Sequence, residues 1–367
     1  MVLYILFFII IIGLMIIDLQ LVNLKKSQNQ YALDLQSTKL YPHPKKKLSV
    51  PIILAIIIIY FFSAFRFDIG WDYLAYYNTI EYGYITNIVG RGEYATIFLV
   101  DLSRKTGITN IYFAINSFIT IFFIFKTMKN YSVNYWISIF LFICFPLFYL
   151  NSFSVIRFFS ALAITFYGFK YIEKKKFFHY LIIVLLASTF HKAALVAIVF
   201  YFARFIKLKT SKIVIILLSL PFIGKLINIF IIKYFPVYSA YTLETTVQEG
   251  TKAILFLGLI GIIALLLRNN ITKNDEIANL YFNCYLIGMF IYLMFYSQGT
   301  MGHRISLFGT IYSILLVPKI ISLVQNYKNR LYINMVLIIT LIVMFFYILY
   351  VGAFTYLPYK TIFDIEN

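Results

Sequence analysis

The sequence predicts an all-α, polytopic integral membrane protein, and three observations carry that prediction. Of its 367 residues 62% are hydrophobic and 13% charged, with a mean hydropathy of +0.86, whereas a soluble domain carries about 25% charged residues. Apolar runs such as Val2–Ile17, Ile52–Phe65 and Met335–Val351 approach or reach the ~20 residues that span a bilayer as a helix. The cations, 32 Lys and Arg against 14 Asp and Glu for a net charge of +18, cluster in short loops between these runs. There they read as topogenic charge and contacts to anionic lipid heads, with no nucleic acid as partner. A soluble enzyme, a disordered chain and a disulfide-stapled secreted module are excluded. At roughly 30 residues per crossing and loop, the length allows about 12 transmembrane crossings (range about 10–13).

The N-terminal run lacks a basic flank and is followed by Lys25-Lys26, so it is expected to remain as a membrane helix. The stretch 25–47 carries Lys25, Lys26, Lys39, Lys45, Lys46 and Lys47 against Asp34. By the positive-inside rule it is a cytoplasmic basic loop, which puts Met1 outside. Helix Leu48–Phe65 then delivers Arg66 to the outer face and to a long outer functional loop, 66–107. Within that loop the apolar stretch Tyr94–Leu102, bounded by Glu93 and Asp101, is too short to cross and reads as interfacial or re-entrant.

Crossings are expected at Ile108–Phe125, Tyr135–Leu150 and Ser152–Ile172, the last ending at Lys174-Lys175-Lys176. Phe177–Phe205 is one over-long helix or a hairpin with its outer apex at His191-Lys192. A hairpin leaves Arg204, Lys207, Lys209, Lys212, Arg268, Lys273, Lys328 and Arg330 inside and Lys233, Lys252, Arg304 and Lys360 outside; a single crossing inverts that ratio, so the hairpin is favoured. Ile213–Ile232, a second outer loop at 233–252, Ala253–Leu267, Asn279–Tyr296, Ile305–Val324 and Leu331–Val351 complete the path. No repeat or linker divides the chain, and residues 1–367 read as a single membrane domain. Cys144 and Cys284 stand singly in apolar runs and read as buried small hydrophobes, without disulfide or zinc spacing.

The polar residues that are not topogenic collect on the outer side. They are Arg66, Asp68 and Asp72 after the second helix, Arg157 behind Asn151, Ser152 and Ser154, His191-Lys192 at the hairpin apex, and His303-Arg304 at the end of the loop Ser297–Arg304. Each has a plainer reading. Arg157 could snorkel, Asp72 could cap the helix that follows, Asp68 could pair with Arg66, and His191 and His303 could simply pack. The other histidines, His43 and His179, fall among cytoplasmic lysines. Arg66, Arg157, Arg304 and Lys192 facing one cavity ask for a phosphate or diphosphate, since guanidinium forks match its oxygens and stay charged. The aromatic outer loop, with Trp71, Tyr73, Tyr76 and Tyr77 and with Asp68 and His303 nearby, suits a saccharide. His191 or Asp72 would supply a general base.

These residues resemble a family. The run Arg66-Phe67-Asp68-Ile69-Gly70-Trp71-Asp72-Tyr73-Leu74-Ala75-Tyr76-Tyr77 is similar to the Arg, Gly-x-Asp-x-x-x-Tyr signature of EpsG-like, Wzy-type polysaccharide polymerases (O-antigen, capsule or exopolysaccharide). Asn151 to Arg157 with Ala161, then Ala187-Ser188-Thr189-Phe190-His191-Lys192, then Arg304 ahead of Phe308 and Tyr312, follow in family order. Lys192 and Phe158 depart from the family's usual small or polar residues at those places. The resemblance implies glycosyl transfer between undecaprenyl-diphosphate-linked oligosaccharides at the outer face of the bacterial cytoplasmic membrane. It also implies membrane lipids, a lipid-linked-saccharide flippase and a chain-length regulator as partners. Neither a metal nor a cofactor is expected, because no Walker loop, HExxH or dinucleotide fingerprint occurs. Alternatives are a lipid-phosphate-sugar-dependent membrane glycosyltransferase using a metal, and a flippase of lipid-linked oligosaccharides.

Overall fold

The computed structural model describes residues 1–33, 48–83, 92–234, 251–273, 275–296 and 299–364. Most of the basic loop 25–47 and of the second outer loop 233–252, and residues 84–91 of the first, lie outside these. Among these residues the fold is all-α but for one short ladder. Five helices among the described residues are long and apolar enough to cross a membrane: Val2–Val22, Asn110–Tyr131, Thr210–Phe230, Glu276–Met294 and Tyr327–Val351. The pair Gly302–Thr310 and Ser313–Ser322, bent by 44°, is a broken span or a re-entrant loop. The protein is thus a multi-pass membrane protein, and shorter apolar helices, Val50–Ala64, Tyr135–Cys144, Phe177–Ser188 and Leu255–Leu266, lie within other stretches expected to cross.

Two expected continuous helices are broken. The stretch 135–172 folds as Tyr135–Cys144, Tyr149–Ser154, Ile156–Tyr167 and Phe169–Glu173. Pro146 accounts for the first break, since it lacks an N–H and bars the residue before it from helical geometry. The second falls at Val155, at φ −93° and ψ 62°. Unwound backbone at membrane depth is tolerated where protein groups satisfy it, and here the freed Phe153 carbonyl accepts a guanidinium N–H from Arg66 at 3.2 Å.

Residues 177–205 double back. Helix Phe177–Ser188 returns as a 3₁₀ helix, Lys192–Phe205, with the Tyr180 hydroxyl donating to the Ala197 carbonyl at 2.6 Å and Phe177 against Tyr201. Ala194, Ala197, Phe200 and Ala203, three apart, are all buried, as expected of a helix whose side chains eclipse every third residue. Elsewhere, helices Glu276–Met294 and Gly299–Thr310 cross backbone to backbone at Gly288 and Gly309. A Cβ on Gly288 would stand 2.6 Å from the Thr310 nitrogen, a close approach typical of small residues between membrane helices.

The two ends of the bundle hold different residues. At one end the Tyr4 hydroxyl donates to the Tyr356 carbonyl at 3.2 Å, and Arg66-Phe67 pairs antiparallel with Lys360-Thr361. At the opposite ends of these helices, the Trp136 indole N–H donates to Asp18 at 2.8 Å and the Tyr131 hydroxyl donates to Glu173. Met1, Arg66 and Lys360 therefore share a side, as in the charge-based threading.

Candidate active site

The loop after the second helix is docked onto the break at Val155. Gly70 has φ +110°, and a Cβ there would lie 2.5 Å from the Phe153 carbonyl oxygen, so only glycine fits. The next backbone N–H, of Trp71, donates to Ser154 Oγ at 3.0 Å. This seam brings Asp72 to the N-terminal turn of helix Ile156–Tyr167, which carries Arg157. Asp72 occupies the N-cap of helix Tyr73–Tyr82, yet its carboxylate makes no capping hydrogen bond. One turn on, the buried Tyr76 hydroxyl accepts from Arg157 Nε at 3.1 Å, and its ring centroid lies 5.6 Å from the Arg157 Cζ.

A residue outside the expected set completes the arrangement. Glu93, 1% exposed, is the N-cap of helix Tyr94–Thr106. Arg157 Nη1 donates to its Oε2, and the Lys192 backbone N–H donates to its Oε1 at 3.2 Å. The helix behind it is tied to the hairpin apex: Ala95 N donates to the Thr189 carbonyl at 3.0 Å and the Thr96 hydroxyl to the Phe190 carbonyl at 2.9 Å. The helix expected from the sequence as interfacial or re-entrant thus presents an acid at its N-terminus. The apolar run flagged the helix; nothing local flagged the acid's partners, which lie far along the chain.

Arg157 and Arg304 both lie close enough to act on the charge of Asp72. Burial holds the Asp72 carboxyl above the usual aspartate range, against the opposing pull of Arg304 and Arg157. Burial likewise raises the Tyr76 phenol, which Arg157 opposes. Arg304 is exposed and belongs to helix Gly299–Thr310, which corrects the expected loop Ser297–Arg304, whose first two residues lie outside the described ones. His191 sets its ring edge against Phe158 at 5.6 Å, and its Nδ1 accepts the Ala193 N–H at 3.2 Å. Lys192 is exposed, its ammonium beside Gly92.

Other expected site residues are placed elsewhere. Arg66, expected to hold diphosphate, is fully buried and spends its guanidinium on backbone carbonyls: Nη1 on Ser63, Nε on Ile69 at 3.3 Å and Nη2 on Phe153 at 3.2 Å. It forms no ion pair with Asp68; among the described residues the ion pairs are Arg157–Glu93 and Lys319–Asp275. Asp68, half-buried, adopts φ +52°. Tyr73, expected to face saccharide, is buried and stacks on Phe113 at 4.2 Å, while Tyr77 packs edge-on to Phe67 at 5.7 Å. Trp71 is exposed, with its edge on Phe354 at 4.6 Å. His303 stands edge-on to Tyr292 at 6.2 Å, its Nε2 buried without a hydrogen-bond partner among the described residues. No three His, Cys, Asp or Glu side chains among the described residues gather as metal ligands.

Neither a curated protein nor a solved structure matches the chain. A sequence model of the EpsG family matches residues 49–361, which takes in every site residue above. The chain belongs to the EpsG family, the EpsG-like polysaccharide polymerases.

Proposed function

We propose that the protein extends polysaccharide by moving a growing glycan from undecaprenyl diphosphate onto a hydroxyl of a second lipid-linked repeat, at the outer face of the bacterial cytoplasmic membrane. The observation that carries this reading is the convergence of Asp72, Arg157 and Arg304, from three separate segments, at one end of the helix bundle. In the transfer, the acceptor oxygen bonds to the anomeric carbon as the bond from that carbon to the diphosphate oxygen breaks. The hydroxyl proton passes to a base, and the lipid diphosphate leaves with the electron pair. Arg304, Lys192 and the outward part of Arg157 stabilise that leaving charge, the kind of preorganised electrostatic contribution that dominates many enzymes. Saccharide contacts fall to the exposed Trp71 and the mouth around Tyr76.

Asp72 is the better base of the two sequence candidates. Its carboxylate is not spent on capping, and its raised pKa brings it nearer the working pH. His191 accepts a backbone N–H at Nδ1, which commits that nitrogen to capping the 3₁₀ stretch. A nitrogen already accepting a backbone hydrogen bond is poorly placed to take the proton of an acceptor hydroxyl. A flippase would supply the repeats at the outer face, and a chain-length regulator would set where extension stops.

The test uses purified full-length protein in nanodiscs with one defined lipid-linked repeat. Wild-type protein yields a ladder of dimer and longer products, unaffected by EDTA, and Asp72→Asn loses roughly 10²–10⁴ in turnover while the protein stays folded. Asparagine caps about as well as aspartate, so the loss reports charge. Normal ladders from Asp72→Asn would remove it as the base.

A further inference from the structure

We infer that Glu93 is a positioning residue for the diphosphate site: it fixes Arg157 so that one guanidinium nitrogen, Nη2, is left to meet the lipid diphosphate. This rests on the polymerase reading above and assigns the site a part that the sequence did not.

The geometry accounts for two of the three Arg157 nitrogens. Nε donates to the Tyr76 hydroxyl and Nη1 to Glu93, while Nη2 has no acceptor among the described residues. The Arg157 side chain is 12% exposed and that of Glu93 1%, so the ion pair lies in protein with only the arginine reaching outward. A buried carboxylate needs its charge met and its lone pairs satisfied. Glu93 meets both needs through Arg157 and the Lys192 N–H, and it cannot shift without disturbing either. It thereby joins three elements: helix Tyr94–Thr106, the broken helix carrying Arg157 and the hairpin apex carrying His191 and Lys192. A long, flexible arginine gains directional precision only when part of its fork is held; here the holding group is an acid that the ligand does not reach.

There is an electrostatic consequence. With Glu93 neutralising Arg157, the net positive charge offered to a diphosphate comes from Arg304 and Lys192, while Arg157 contributes direction. Removing Glu93 would leave Arg157 more charged in effect but unfixed. Binding should hold while the chemical step suffers, because a misplacement of about 1 Å can cost roughly 10² in rate.

The experiment measures kcat and KM for lipid-linked repeat with purified Glu93→Gln and Glu93→Asp, each normalised to folded protein. In parallel, mass spectrometry follows the rate at which phenylglyoxal modifies Arg157. Glu93→Gln is expected to lower kcat by about 10² with KM little changed, and Glu93→Asp, which keeps the charge, to recover part of it. Arg157 modification should speed up on the order of tenfold in Glu93→Gln, as when a guanidinium loses a charge-assisted hydrogen bond. If Glu93→Gln does not fold, the same comparison is made on Glu93→Asp. Wild-type protein that extends nothing overturns the polymerase reading and this role with it. Wild-type protein that extends normally, with kcat unchanged in the folded Glu93 variants or Arg157 modified no faster, overturns this inference alone.

Discussion

Replacing Arg66 by lysine separates a ligand-binding arginine from a structural one. The guanidinium is fully buried and donates to three carbonyls, of Ser63, Ile69 and Phe153, which belong to the end of the second helix, the loop leading to Asp72 and the break before Arg157. It lies 4.7 Å from the Phe153 ring centroid and 5.6 Å from that of Phe113. An ammonium is a point charge without the fork and cannot serve carbonyls on all three sides. Each hydrogen bond to a charged group is worth about 1.5–3 kcal/mol, and lysine would keep about one. The expected loss is therefore about 3–5 kcal/mol, the range seen when a buried charge is deprived of partners. At ~2.1 cal/mol/K of unfolding entropy per residue, a chain this long shifts a little over ~1 °C per kcal/mol, so the melting temperature should fall by about 4–7 °C. The assay is thermal unfolding in detergent followed by tryptophan fluorescence; Trp71 beside this loop and Trp136 at the other end of the bundle are the two indoles of the chain. KM per folded molecule should hardly move. An unchanged melting temperature with a KM raised tenfold would refute the assignment and return Arg66 to the substrate.

Further outcomes follow from the same geometry. Gly70→Ala should destabilise by about 2–4 kcal/mol, combining overpacking with a backbone conformation closed to alanine, and should slow turnover by displacing Asp72; wild-type melting and activity together would contradict the close approach to Phe153. If Asp72 is the base, turnover falls as pH drops through its raised pKa. Arg304→Gln removes a group that lowers that pKa, so the acid limb should move to higher pH, and a limb that stays put or moves down would disconnect the two residues. A single cysteine at Asn78 should label from outside and one at Asn329 should not, with Cys144 and Cys284, both buried, replaced by alanine; the reverse pattern would invert the proposed topology.

What the sequence made legible was whatever depends on local pattern. Apolar length announced the helices, the lysine distribution grouped Met1, Arg66 and Lys360 at one end, and the reversal at His191 followed from charge counting. Asp72, Arg157 and Arg304 stood out as charges in apolar surroundings. Glu93 did not, because its partners lie 64 and 99 positions away and beside an apolar run it looks like a helix boundary. Arg66 misled for the opposite reason. An arginine just past a helix end looks solvent-facing, and it is buried by distant parts of the chain, Phe113, Phe153 and the returning tail that pairs Lys360-Thr361 with Arg66-Phe67. The break at Val155 was hidden because no proline or glycine marks it; its cause is the tertiary seam that captures the Phe153 carbonyl.

The 3₁₀ stretch Lys192–Phe205 settles how much reach a short sequence has. Its 14 residues, rising ~2.0 Å each, extend about 28 Å, where an α-helix of equal length would cover about 21 Å. That nearly matches a hydrocarbon layer of ~30 Å, for which an α-helix would need about 20 residues. The cost is rigidity of register. Its side chains stand in straight rows, and inserting one residue would turn everything beyond it by about 120°, carrying Phe200 and Ala203 out of the protein and into the lipid. Length along this segment can change only in steps of three, so an insertion or deletion of three residues should be borne far better here than one of a single residue.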